Sequence, residues 1–240
     1  RAVILTTQRT GSTFLVECLD SHPQVECASE ILIGAADRPA PEYRGRFKQV
    51  AKVVRMFKSG AWRPGHRMEQ FYADGVAPVR VFKVMYNQLA NPFASRYLQQ
   101  NEDIRILHLR RHNLLKVHVS KLLMPKRARV QAFEPTSAVQ IHVDPAEAIA
   151  SMQAARALYS RYDQFFARHA RLPLAYEELI DGNRVQAGTA ARVCDFLGIE
   201  QHAMSSRLVK LNPESLREMV TNYDELADAV RRSEFADLLE

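Results

Sequence analysis

Cysteine is scarce: the 240 residues hold three, Cys18, Cys27 and Cys194. Their spacing forms neither a metal motif nor a disulfide framework, which sets aside zinc ribbons and stapled secreted scaffolds. Cys18 and Cys194 fall on apolar helical faces and read as core. The low count points to a reducing, cytoplasmic setting. The histidines form no helical HxxxH pair, since His108 and His112 are four apart but straddle a strand-to-helix turn. No run of about twenty apolar residues occurs, so no helix is expected to span a membrane. A signal-peptide pattern is missing as well. The first residue is Arg1, which leaves a preceding segment open. Repeats and low-complexity tracts do not occur.

Charge is present in excess of one sign. The formal net charge is +6 and the sequence pI about 9.3. Such a balance suits nucleic acid or a small polyanion. The basic residues are scattered, apart from Lys126-Arg127-Ala128-Arg129, which reads as a solvated loop. With no nucleic-acid motif and no interleaving of aromatic and basic residues, a charged nucleotide is the simpler partner. Apolar residues make up 47% of the chain, enough for one large α/β domain and too few residues for two.

The most informative segment is Thr6-Thr7-Gln8-Arg9-Thr10-Gly11-Ser12-Thr13-Phe14-Leu15. It follows Ala2-Val3-Ile4-Leu5, which reads as a buried parallel strand, and leads into helical spacing at Phe14 to Leu19. A strand, a glycine turn and a helix that opens on two hydroxyls make an anion cradle, because a helix N-terminus presents unpaired N–H groups and partial positive charge. Arg9 adds a planar donor fork suited to phosphate or sulfate oxygens. The nucleotide triphosphatase loop, GxxxxGK[ST], does not fit. Thr6 stands where its first glycine belongs, and no lysine lies between Gly11 and Ser12.

Q-R-T-G-S-T-F-L resembles the 5′-phosphosulfate loop of sulfotransferases that use 3′-phosphoadenosine 5′-phosphosulfate (PAPS), and most of all the bacterial nodulation-factor and trehalose types. A second segment carries the same resemblance. Ile104 to Leu109 reads as a strand that runs into Arg110-Arg111-His112-Asn113 and a helix bearing Leu114, Leu115, Val119 and Ser120. The family holds the 3′-phosphate with a strand-end arginine and a helical serine. Its common spacing of eight residues falls here on His112, while the L-R-R-x-N-L-L form moves the role to Arg111; Arg110 and His112 stay open as alternatives. A third match is Glu30, nineteen residues after Gly11, where the trehalose-type enzymes carry their catalytic base; Glu26 is the weaker alternative. A strand next to the first would bring Glu30 to the carboxyl edge, where open α/β sheets bind ligands. Lys83 in F-K-V-M resembles a K-x-M of bacterial relatives and could face that edge or serve an ion pair. Tyr176-Glu177-Glu178-Leu179 resembles a Y-E-x-L of structural purpose, and Lys210 is a candidate for a basic C-terminal loop that closes the nucleotide site.

Along the chain, strands are expected at residues 2–5, 25–30, 79–85, 104–109 and 172–176. Helices are expected after the first loop, at 92–99, after 113, from 145 to about 169, at 185–197 and at 222–239. Asp144, Pro145 and Glu147 form a helix start, and Gly198 a helix stop. Alternating strands and helices predict a parallel sheet with right-handed crossovers. With the resemblance, this is an α/β, P-loop-like three-layer sandwich with a central parallel sheet flanked by helices. One sulfotransferase domain spans 1–240, with an irregular acceptor-binding insertion at about 34–78 and an excursion at about 122–143.

The resemblance implies transfer of a sulfuryl group from PAPS to an acceptor hydroxyl, on a carbohydrate or glycolipid, with no metal. Arg9, Thr10, Gly11, Ser12 and Thr13 would hold the 5′-phosphosulfate, with Arg9 neutralising the departing phosphate. Arg111 and Ser120 would hold the 3′-phosphate, and Glu30 would take the acceptor proton. The alternatives are a P-loop-type small-molecule kinase or triphosphatase, against which the missing lysine counts, and a nucleotide-binding module without catalysis.

Overall fold

The computed structural model describes residues 1–32, 64–124, 140–208 and 215–239. The motif Lys126–Arg129, Lys210 and most of the two expected excursions lie outside these residues. Five parallel strands form one sheet in the order β2-β3-β1-β4-β5: β1 Ala2–Thr6, β2 Val25–Glu30, β3 Val79–Met85, β4 Arg105–Arg110 and β5 Arg171–Ala175. All five residues of the central β1 are buried, which explains why Ala2 to Leu5 run apolar without alternation.

Period-two alternation sends neighbouring residues to opposite faces. Ala2 and Ile4 pack with α1 (Ser12–Asp20) and a later helix, Ala187–Leu197, around Leu15, Leu19, Val193 and Cys194. Val3 and Leu5 face the other layer. That layer contains α2 (Pro64–Ala73), α3 (Pro92–Gln100), α4 (Leu114–Leu123) and α5 (Pro145–Phe165). Helix Ala187–Leu197 is α6, and α7 (Leu216–Met219) and α8 (Tyr223–Arg231) complete the second layer. The result is the three-layer α/β sandwich expected from the alternation of elements.

Several local signals act as expected. Asp144 accepts from the Glu147 N–H at 2.9 Å with Pro145 in the first turn of α5, and Gly198 ends α6 in the left-handed region at φ 69°. Others are overruled by packing. β2 pairs with β3, not with β1, so a strand stands between Glu30 and the glycine loop. Residues 64–73, expected to be irregular, form α2 because Met68 and Phe71 share a face that packs in the core, with Phe71 edge-on to Phe82 at 5.3 Å. Helix α5 stops at Phe165, short of His169, whose Nε2 instead lies 2.8 Å from the Leu98 carbonyl as the chain turns into β5. Within α5, Leu158 of the expected apolar stripe is exposed, and Tyr159 is buried in its place. Val185 belongs to a two-stranded hairpin, β6 (Ile180–Asp181) with β7 (Arg184–Val185), and so shortens α6 at its start. The expected terminal helix breaks after Arg231 and resumes only as a short 3₁₀ turn, Ala236–Leu238.

Candidate active site at the carboxyl edge

The loop after β1 turns on two residues with positive φ, Arg9 at 65° and Gly11 at 76°. For Arg9 this left-handed conformation costs on the order of 1–2 kcal/mol, a strain of the kind that concentrates at functional sites. Gly11 is required twice over. Its φ disfavours a side chain, and a Cβ there would lie 2.6 Å from Cδ2 of Tyr176. Gly11 also caps α1 without any side-chain hydrogen bond, and the first turn of that helix has no acidic residue. Gly11 thus brings no side chain to the leading N–H groups, and a helix start of this kind suits an anion.

The individual loop residues differ in what they offer. Thr10 is fully buried, with its hydroxyl 2.6 Å from that of Thr6 and 2.9 Å from the Thr7 carbonyl. It braces the loop from beneath, which leaves its backbone N–H rather than its hydroxyl as the group it could offer a ligand. Thr6 in turn donates to the Leu109 carbonyl at 2.9 Å and ties the loop to β4. Ser12 is buried and Thr13 half-buried at the helix start.

Arg9 reaches across to α4, where its Nε donates to Ser120 Oγ at 2.8 Å. The expectation set these two residues at opposite ends of a nucleotide. The structure joins them, so the guanidinium bridges the glycine loop and the α4 serine. Arg111 follows the end of β4. Its Nη1 donates to the Arg9 carbonyl at 3.4 Å, and its guanidinium lies 4.4 Å from the centre of the Tyr176 ring. Arg110 is directed elsewhere. It shares the α5-facing side of β4 with His108, and Asp163 binds both Arg110 and, at 2.8 Å, Arg171. His112 is exposed, and its backbone N–H is taken by Glu177 at 3.1 Å. Of the three alternatives for an anion ligand, Arg111 is therefore the one beside the loop.

His108 is the buried member of the Arg110 cluster, whose Asp163 side chain is 39% exposed. Its Nδ1 accepts from Arg110 at 2.9 Å, and its Nε2 lies 2.6 Å from the Tyr86 hydroxyl. Since arginine only donates, the ring proton sits on Nε2. Burial and then the Arg110 charge depress its pKa to about 3.

Glu30 ends β2 beside Lys83 of β3. A bulge between Ala28 and Glu30 shifts the register by one residue, so Ala28 pairs with Phe82 and Glu30 with Lys83. Without the bulge Glu30 would share the face of Glu26; with it, Glu30 turns to the face of Lys83 and α1. Lys83 Nζ meets Glu30 Oε1 at 2.9 Å, and Gln88 Nε2 donates to Oε2 at 3.0 Å. Gln88 is itself oriented, because its Oε1 accepts the Met85 N–H at 2.9 Å. Each carboxylate oxygen retains a second lone-pair direction for a hydroxyl. Glu26 has a different partner, Arg80, at 2.5 Å. Sequence reasoning left Lys83 open and missed Gln88, which has no local signature. It did mark Tyr176 and Glu177, as a structural motif only.

Among the described residues, no helix is long and apolar enough to cross a membrane. A strand, a glycine turn and a helix start at the carboxyl edge of a parallel sheet define an α/β protein of P-loop-like form. The comparisons with known proteins narrow the class. The model of the sulfotransferase family matches residues 2–203, and the chain belongs to that family; it is an enzyme of sulfuryl transfer. Among solved structures, a sulfotransferase from Alicyclobacillus acidocaldarius shares the fold, with a TM-score of 0.53 at 17% identity over 99% of this chain and 92% of the other. No curated protein sequence matches the chain.

Proposed function

We propose that this chain moves the sulfuryl group of PAPS to an acceptor hydroxyl, with Glu30 as the base, and that the acceptor is a carbohydrate or glycolipid. The observation that supports this most is the meeting of Arg9, Ser120 and Arg111 beside the glycine loop that opens α1. This donor set suits a ligand with two separate anionic groups. PAPS, when bound, supplies the electrophilic sulfur and leaves as the bisphosphate.

The chain's own residues divide the remaining work. The N–H groups from Thr10 to Thr13, with the Ser12 and Thr13 hydroxyls, hold oxygens of the 5′ group. Arg9 stabilises negative charge that builds on the departing phosphate, and Arg111 and Ser120 grip the 3′-phosphate and fix the nucleotide's register. Arg9, bonded to Ser120, links the two sets. Glu30 accepts the acceptor's proton. The Lys83 and Gln88 bonds fix the orientation of that carboxylate, so it meets the incoming hydroxyl without rearrangement. Transfer between oxygens in this way depends on position and charge, much as phosphoryl transfer does. The carbohydrate assignment rests on the resemblance to the nodulation-factor and trehalose types. The single domain of 1–240, its insertion at about 34–78 as the acceptor cover and Lys210 as a closing cation belong to the same reading.

The test is a thermal-shift titration with adenosine 3′,5′-bisphosphate beside ADP and ATP–Mg²⁺, followed by a PAPS-dependent transfer assay on a panel of sugars. A ligand at a hundred times its Kd stabilises by about 2.7 kcal/mol. A shift specific to the bisphosphate is expected. A preference for ATP–Mg²⁺ would return the kinase alternative, and binding without transfer to any acceptor would leave a nucleotide-binding module.

A further inference from the structure

We propose that Tyr176, with Glu177 behind it, is a positioning residue that sets selectivity for a 3′-phosphate by holding Arg111 in place; this rests on the nucleotide reading above. The two residues follow β5, the strand beside β4, and stand in a 3₁₀ turn, Tyr176–Glu178. The Tyr176 ring packs on Gly11, where a Cβ would come within 2.6 Å of Cδ2 and 2.8 Å of Cε2. The same ring carries the Arg111 guanidinium at 4.4 Å. One side chain therefore touches the centre of the glycine loop and the arginine assigned to the 3′-phosphate.

Glu177 secures the backbone from which Arg111 projects. Its two oxygens accept the His112 and Asn113 N–H groups, each at 3.1 Å. Asn113 in turn caps α4 by accepting from Lys116 N at 2.9 Å. Tyr159 adds a contact to the Arg111 N–H at 3.3 Å. Glu177 also places a carboxylate on N–H groups that would otherwise attract an anion at the start of α4, and so directs a phosphate to Arg111 and Ser120. A free arginine side chain has much rotamer entropy to lose on binding. An aromatic face that holds the guanidinium removes part of that cost beforehand.

The consequence is specific. Loss of the ring should weaken recognition of the 3′-phosphate more than recognition of the rest of the nucleotide. Dissociation constants for adenosine 3′,5′-bisphosphate and for AMP, which lacks the 3′-phosphate, would be measured for the wild type and for Tyr176→Phe, Tyr176→Leu and Tyr176→Met. Melting curves confirm folding, and the methionine variant serves if the leucine variant does not fold. The ratio of the AMP constant to the bisphosphate constant should fall about tenfold in the variants without a ring. Binding of AMP should stay within about threefold, and Tyr176→Phe should keep the ratio. In an Arg111→Ala background the same substitutions should change the ratio no further. An unchanged ratio, an equal loss for both nucleotides or an additive effect in that background would overturn the proposal. A wild type that does not prefer the bisphosphate to AMP would instead sink the nucleotide reading beneath it.

Discussion

Strands β2 and β3 carry two carboxylate–cation pairs that look interchangeable, Glu26–Arg80 and Glu30–Lys83. Both join a glutamate of β2 to a cation of β3, and both bury the cation almost completely, with side-chain exposures of 7% for Arg80 and 6% for Lys83. They differ in place and in their neighbours, while Glu26 at 30% is if anything more exposed than Glu30 at 21%. Glu26 and Arg80 are near the amino ends of their strands. Arg80 lies 4.3 Å over the Phe71 ring and presses on Gly75, where a Cβ would be 2.2 Å from its Nε. Glu30 ends its strand at the carboxyl edge, on the opposite face because of the bulge, and shares its second oxygen with Gln88. Chemistry of one kind thus closes a packed corner in the first case and presents a held carboxylate in the second. Burial alone does not separate them; position along a parallel strand does.

Substitutions can break this contrast, and the largest expected effect is at Glu30. Glu30→Gln should lower kcat at least about a hundredfold, within the range for loss of a general base, while the bisphosphate binds as before. Full turnover in that variant would remove Glu30 from the role. Lys83→Met should come next, with a fall in kcat of about tenfold or more as the carboxylate loses its fixed orientation. Its fold should survive at some cost in stability, because the Glu30 carboxylate it leaves without a cation is partly exposed and keeps its Gln88 bond. Steady-state kinetics that show a change confined to KM would count against orientation as the cause.

Glu26→Gln supplies the opposite result. It should leave kcat within about twofold and cost about 1–3 kcal/mol in a denaturant melt, since Arg80 stays buried with a weaker partner. A rate loss as large as that of Glu30→Gln would reverse the assignment of the two pairs.

The smallest effect on rate is expected at His108, a buried ring that accepts from Arg110 on the α5 side of the sheet. Its folded-state pKa is held near 3 against an ordinary 6.5. The unfolded chain therefore takes up a proton first as pH falls. The stability contributed by the neutral ring is fully present above about 6.5 and is lost on the way down towards the folded value. His108→Gln should flatten the decline between about pH 6.5 and 5 by up to about 1.4 kcal/mol per pH unit, read from melts across that range.

How much of this was visible beforehand depends on the range of the interactions involved. The span of β3, the start of α5 at Asp144 and the glycine stop after α6 were legible because each is decided by neighbours a few residues apart. The glycine loop belongs with them, since a buried strand, a turn that demands a positive φ and a helix start are local requirements. The sequence by itself therefore determined the fold class and the glycine turn that opens α1. Tertiary structure decided the rest, through contacts between residues far apart in the chain. It inserted β3 between β1 and β2, and it placed a one-residue bulge that turned Glu30 from the face of Glu26 to that of Lys83. It joined Arg9 to Ser120, 111 residues away, and sent Arg110 to Asp163 so that Arg111 faces the loop. No periodicity encodes such partners, because alternation sets the face of a side chain and only packing chooses what meets it there.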